Sequence, residues 1–269
     1  MSEWTEEDLR LGLKKLGVEP GGVVFVQASL RSLGPVLGGA RTLLGVLREV
    51  LGAQGTLVAY TATPENSLTS RLYREATAGL DAAALHAYQA AMPPFDPANT
   101  PCSPSMGRLS EELRRTPGAL RSAHPQTSFA ALGPQAAAIT WEHPLDQHLG
   151  PDSPLGRLYA LDARALLLGT GHDTFTPYHL VDYQRPDHPR KLYSAKLLTD
   201  SGEARWRRFT GLDLDDLHFA ELGRRVERRI PVRRGRVGAA SATLVSVRTA
   251  VDAAARHLVP MDMQNAVLN

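Results

Sequence analysis

Val23-Val24-Phe25-Val26-Gln27-Ala28-Ser29-Leu30-Arg31-Ser32-Leu33-Gly34-Pro35 is the stretch that decides the fold. Residues 23–28 form a short apolar run, with Gly21-Gly22 before it and a Ser/Gly loop after it, and this pattern predicts a buried strand. Leu43 to Leu51 then returns to helical spacing, and Thr56 to Thr61 is a second apolar run. Strand, loop, helix and strand in that order imply a parallel crossover, because parallel neighbours cannot be joined by a tight turn. The loop Ser29 to Pro35 therefore belongs at the carboxyl end of the first strand, where open α/β sheets place ligands.

Upstream, Thr5 precedes Glu6, Glu7 and Asp8, Leu9, Leu13 and Leu16 keep helical spacing, and Gly17 ends the run. That is a capped amphipathic helix. Downstream, residues 63–104 change character: Pro64, Pro93, Pro94, Pro97, Pro101 and Pro104 surround one predicted helix, Ala82 to Ala91. Without Gly/Ser repeats this reads as a long ordered excursion over the active face, not a flexible linker. Helices are predicted at Gly107 to Arg115, Pro134 to Trp141, Pro154 to Leu161, Thr176 to Tyr183, Leu214 to Arg229 and Thr249 to Leu258. Strands are predicted at Thr127 to Leu132 and Ala165 to Leu168, and Lys191 to Leu198 with Ala204 to Phe209 flank the hairpin signature Asp200-Ser201-Gly202.

The whole chain has 269 residues, 43% apolar, with 30 Lys and Arg against 28 Asp and Glu for a net charge of +2. This is ordinary globular composition. The basic residues form no tract with interleaved aromatics, which argues against nucleic acid as a partner. A single cysteine, Cys102, excludes a disulfide scaffold and makes the reducing cytosol the simplest compartment. No apolar run approaches the length of a membrane span, and Met1 to Lys15 has no signal-peptide pattern, so a cytoplasmic location and no membrane partner are expected.

No Gly-x-Ser-x-Gly elbow or phosphate loop is present, and Gly169-Thr170-Gly171 has Thr174 where a dinucleotide turn needs its third glycine. The informative segment is Gly169 to His179, where a buried strand delivers two histidines, an aspartate and threonines. His172 and His179 have three readings. They are structural; or they ligate zinc with Asp173 or Asp182, although no zinc spacing is matched; or one of them does acid–base work, since imidazole titrates nearest neutral pH. A histidine base needs a partner for its other nitrogen. Asp213, between Leu212 and Leu214, is the inward-pointing candidate, whereas Asp215 and Asp216 read as first-turn residues complementing a helix dipole.

The succession Val26 to Gly34, Pro94-Phe95-Asp96-Pro97, Met106-Gly107, Arg121-Ser122-Ala123-His124-Pro125, Ser128 to Pro134, Ser153-Pro154-Leu155-Gly156-Arg157 and Leu166 to His179 resembles the aminoglycoside 3-N-acetyltransferase, or antibiotic N-acetyltransferase, family. The similarity runs in order from about residue 5 to residue 258. It implies one α/β domain over 1–269, with a central mixed sheet flanked by helices and unrelated to the GNAT fold. The implied reaction moves an acetyl group from acetyl-coenzyme A, without a metal, to the amine of a small molecule, an aminoglycoside antibiotic.

By the same resemblance, the family's Thr-x-x-His histidine falls on His179 and its late carboxylate on Asp213. Coenzyme A is expected along Ser29, Leu30, Arg31, Ser32 and Gly34, with Gly107, His124, Ser128, His172 and Thr174; Arg31 and Arg108 are candidates for its phosphates. Thr176 or backbone N–H groups would stabilise the oxyanion. Glu65, Asn66, Asp96 and Asp213 are candidate acceptor contacts. The chain departs from the family at Gln27, commonly histidine, and at Gly211, commonly acidic. The second departure removes a charge that would hold a polycation. A small-amine acetyltransferase and a non-catalytic coenzyme A-binding module are the alternatives.

Overall fold

The computed structural model describes residues 3–258, so residues 1–2 and 259–269 of the expected domain lie outside the described residues. Helix α1 (Glu6–Leu16) begins at a capping box: Thr5 accepts from the Asp8 amide while the Asp8 carboxylate accepts from Thr5. It ends at Gly17, whose φ of 91° suits a residue without a Cβ. Its Leu9, Leu13 and Leu16 are buried, each contributing about 1.5–3 kcal/mol by leaving water.

Next come β1 (Val23–Ala28), α2 (Leu30–Leu33), α3 (Gly39–Leu51) and β2 (Thr56–Tyr60). β1 and β2 are parallel, Val23 opposite Thr56, as the crossover requires. The stretch 63–104 holds two helices, α4 (Arg71–Thr77) and α5 (Ala82–Ala91), of which pattern reading finds the second. After α6 (Gly107–Arg115) come β3 (Leu120–Arg121), β4 (Phe129–Leu132), α7 (Ala136–Thr140), α8 (Pro154–Ala160), β5 (Arg164–Leu168) and α9 (His179–Asp182). The hairpin β6 (Arg190–Leu198) and β7 (Ala204–Leu212) stands apart as its own two-stranded sheet. The chain continues through α10 (Phe219–Glu227), β8 (Arg233–Val237), β9 (Ala240–Ser246) and α11 (Val247–Leu258).

The main sheet has seven strands in the order β3-β4-β2-β1-β5-β9-β8, and β1 pairs parallel with both β2 and β5 while the outer pairs are antiparallel. It is a mixed sheet in a single α/β domain, as expected. Side chains alternate across it. Val24 and Val26 of β1 and Leu166 and Leu168 of β5 face α1, α3 and α6, while Phe25, Ala165 and Leu167 face α8, α10 and α11. Gln27 follows Phe25 on the second face, at the carboxyl end of the central strands.

Three expected boundaries move by three residues or more. The helix predicted over 214–229 is confined to Phe219–Glu227, and the hairpin's second strand runs on to Leu212. The helix predicted from Thr176 is a 3-10 turn, Thr176–Tyr178, followed by α9, because Pro177 opens the segment. Among the described residues no helix is long and apolar enough to cross a membrane.

Candidate active site

Two cavities meet at the carboxyl ends of β1, β2 and β5. The first, about 320 Å³, is walled by Gln27 and Ala28 of β1, Ser105, Ser110, Thr170, Thr174, Thr176 and Phe219. The second, about 300 Å³, is walled by Pro64, Ser67, Thr69 and Ser70 of the excursion, by Gln126 and His148, and by Lys191, Tyr193 and Leu214. Tyr60, Met106, Leu149 and His179 belong to both. Of these four, His179 alone carries an imidazole, the side-chain type suited to acid–base work near neutral pH.

His179 begins α9 and is buried, and its ring packs 4.7 Å from Phe219. Its Nδ1 lies 3.0 Å from Oδ2 of Asp182, one helical turn along, and Asp182 is 1% exposed. The carboxylate accepts only, so Nδ1 carries the hydrogen and the Nε2 lone pair is left for the cavities.

Asp213 is not that partner. It sits just past β7, 47% of its side chain exposed, and its carboxylate is engaged by the Lys191 ammonium. The sequence shows Asp213 between two leucines; the backbone bond from its own amide to the Pro189 carbonyl instead ties it to the open end of the hairpin. The local i, i+3 spacing of His179 and Asp182 is the signal in the sequence that points to this hydrogen bond.

Gln27 projects from β1 toward Thr174 and Thr176: its Nε2 donates to the Thr174 carbonyl and, at 3.2 Å, to the Thr176 hydroxyl. Its Oε1 is buried with no protein partner and belongs to a residue of the first cavity wall. The serine loop forms α2, which Ser29 caps by accepting from the Ser32 amide. Ser32 Oγ donates to the Gly169 carbonyl and lies 2.9 Å from Ser29 Oγ, joining this loop to the Gly169–Thr174 turn. A Cβ on Gly169 would lie 2.3 Å from Ser32, so only glycine admits that approach. Gly107, with φ of 80°, starts α6 beside the Ala28 carbonyl, and Arg31 and Arg108 are exposed around this rim. Leu30 and Gly34 are half-buried in the same loop.

Several expected contacts are elsewhere. His124 and Ser128 are fully buried and are not among the residues that wall either cavity. His124 Nδ1 accepts from the amides of Gln126 and Thr127, and Ser128 donates to the Thr61 carbonyl and accepts from Arg121. His172 has both ring nitrogens occupied, by the Tyr178 hydroxyl at 2.7 Å and Glu227 at 3.0 Å. Asn66 bonds both ways to the backbone of Lys196, pinning the excursion to the hairpin, and Asp96 closes its own turn through Ala98 and Asn99. Glu65 is exposed and accepts from Ser103. Asp216, read as a helix-start residue, is on the wall of the first cavity.

Behind the second cavity lies a buried cluster: the His124 ring is 4.7 Å from His143 and 4.5 Å from His148. Burial, the largest cause, pushes His143 down to about 4 and His148 to about 3, and holds His124 well below its ordinary value. The cluster is therefore neutral. Cys102 is also buried, with Sγ 3.2 Å from Glu111; burial first, then that carboxylate, pushes the thiol up to about 12. Such a thiol is a poor acyl carrier. No group of three or more potential metal ligands occurs among the described residues.

Residues 25–259 match the family model for aminoglycoside 3-N-acetyltransferase. The chain belongs to the aminoglycoside 3-N-acetyltransferase family. Aminoglycoside N(3)-acetyltransferase VII of Streptomyces paromomycinus is 36% identical over 269 aligned positions, covering 92% of this chain and 89% of that protein. The solved structure of AAC-VIa bound to sisomicin superposes with a TM-score of 0.84 at 31% identity, covering 96% of this chain and 98% of that one. AAC-IIIb in binary complex with CoASH superposes at 0.82 and 30% identity, over 96% and 97% of the two chains. As a member of this acetyltransferase family the chain is an acyltransferase enzyme, and the sheet just described is its fold.

Proposed function

We propose that this chain transfers the acetyl group of acetyl-coenzyme A directly to an amine of an aminoglycoside, with His179 as general base and Asp182 as the residue that orients it. One observation carries the reading: His179 is shared by both cavities while its Nδ1 is anchored on a buried carboxylate. A donor in one cavity and an acceptor in the other would meet at its Nε2. The first cavity fits the pantetheine arm of a coenzyme A thioester. Its wall carries the hydroxyls of Ser105, Ser110, Thr170, Thr174 and Thr176 besides the Asp216 carboxylate, and the orphaned Gln27 Oε1 offers an acceptor to an amide N–H. The exposed Arg31 and Arg108 at the rim suit its phosphates.

An amine attacks only in its neutral form, and His179 Nε2 takes the proton as the new C–N bond forms, then returns it to the departing thiolate. Asp182 stabilises the imidazolium in between. Thr176, at the cavity wall and already bonded to Gln27, offers a hydroxyl to the charge that develops on the acetyl oxygen. The buried, thiol-form Cys102 takes no part, which makes the transfer direct.

A second reading, a smaller and less charged amine as acceptor, is favoured by the second cavity itself. No carboxylate lines it among the described residues, its one ammonium, Lys191, is paired with Asp213, and Gly211 supplies no charge. Thiol release from acetyl-coenzyme A, followed across sisomicin, gentamicin and mono-amino sugars, tests both. Turnover with the aminoglycosides supports the first reading, turnover with mono-amines alone supports the second, and none with any amine overturns both.

A further inference from the structure

Asp182 has a second neighbour. Its Oδ2 receives the His179 bond, but its Oδ1 is buried without a hydrogen-bond partner, and 3.9 Å away lies Nδ1 of His188, also buried without one. Two orphaned polar atoms that face each other at this distance are an interaction left open.

The other side of His188 decides which form closes it. His188 Nε2 is 3.2 Å from the main-chain carbonyl of Asp213, and a carbonyl can only accept, so Nε2 carries a hydrogen. With one proton on the ring, Nδ1 then presents a lone pair to the carboxylate's own lone pairs and the two stand apart. A second proton converts Nδ1 into a donor aimed at Oδ1. Other charged and titratable groups stand around this turn and on the hairpin beside it. The Asp213 carboxylate is closed by Lys191, and Arg185 and Asp187 are 3.9 Å apart within the turn. Arg190 begins β6, and Tyr183 is held through its hydroxyl by the Leu149 amide. Among the described residues Asp182 is the one buried carboxylate within reach.

We propose that His188 is a positioning residue for the acetyl transfer: in its doubly protonated form it closes on Asp182 Oδ1, so that the carboxylate is held between two imidazoles and His179 is fixed with Nε2 toward the acceptor. The inference rests on the reading of His179 as the base. It adds a cationic clamp on the far side of the orienting carboxylate, reaching it from the turn between α9 and the hairpin that walls the second cavity.

Two measurements test it. Nitrogen NMR of histidine-labelled protein at the assay pH should show an N–H at His188 Nδ1 that is lost in Asp182→Asn; a His188 carrying only the Nε2 hydrogen in the wild type overturns the proposal. In kinetics, His188→Leu should lower kcat by roughly tenfold with KM for acetyl-coenzyme A unchanged, the scale on which outer partners of functional histidines act. His188→Lys, which keeps a cation, should retain most of the rate and flatten the alkaline limb of the pH profile. If the two variants are equally slow, or both as fast as the wild type, the clamp is wrong. Failure of the base reading is seen separately, as full turnover by His179→Ala, because the NMR result does not depend on activity.

Discussion

Lowering the pH from 7.5 to 5 should remove about 4 kcal/mol of folding stability through His143 and His148. In the unfolded chain these imidazoles take up protons around 6.5; in the fold burial delays uptake to about 4 and about 3. Below 6.5 the unfolded state therefore binds more protons, so the contribution is complete above that value and is lost as pH falls. Each histidine contributes a slope of about 1.4 kcal/mol per pH unit, and 1.5 units below 6.5 amounts to about 2 kcal/mol apiece. His124, buried against both and shifted the same way, adds to the loss. Ordinary carboxylates change little above pH 5. Urea unfolding at the two pH values, followed by far-UV circular dichroism, measures the difference against a total of about 5–15 kcal/mol for a typical domain. Equal stability at pH 7.5 and 5, or a native-state His148 resonance that titrates near 6.5, would refute the argument.

Cys102→Ser should keep most activity, since a thiol pushed up to about 12 is not a nucleophile at neutral pH; a trapped acetyl-cysteine in the mass spectrum would show otherwise. Asp182→Asn should lower kcat by about 10²–10⁴-fold by disrupting the tautomer of His179, whereas Asp213→Asn should lower it far less and act mainly on the acceptor KM. Equal losses in kcat would return Asp213 to the catalytic pair. Gly211→Glu should fail to restore an acidic wall without disturbing its neighbour, because a Cβ there lies 2.8 Å from the His148 ring; tighter aminoglycoside binding with His148 undisplaced in a crystal structure would contradict this.

The central crossover was legible because Val23–Ala28 and Thr56–Tyr60 are buried on both sides and read as continuous apolar runs, while the first helix wrote its own boundaries in Thr5, Asp8 and Gly17. β8 was not legible. It is an edge strand written Arg-Arg-Gly-Arg-Val, in which only Val237 is buried, and its partner β9 shows its alternation only once paired. At the site, the structure puts His179, singled out by its place after a buried strand and by family resemblance, on the wall of both cavities, but its hydrogen-bond partner was sought far along the chain. The sequence cannot show that Asp213 finds Lys191 across the hairpin base, whereas the i, i+3 relation to Asp182 is local and was passed over as a zinc alternative. His124 and Ser128, expected at the donor site, are interior residues whose hydrogen bonds hold the β4 end of the sheet, and a motif does not show whether its residues face the interior or a cavity.

Steady-state thiol release at saturating acetyl-coenzyme A, compared between the wild type and His179→Ala with the acceptor found most active, tests the central claim most directly. A base at the junction of the two cavities predicts a fall in kcat of about 10²–10⁴-fold with the KM for acetyl-coenzyme A unchanged. Turnover by the variant within a few fold of the wild type, or a loss confined to KM, would contradict it.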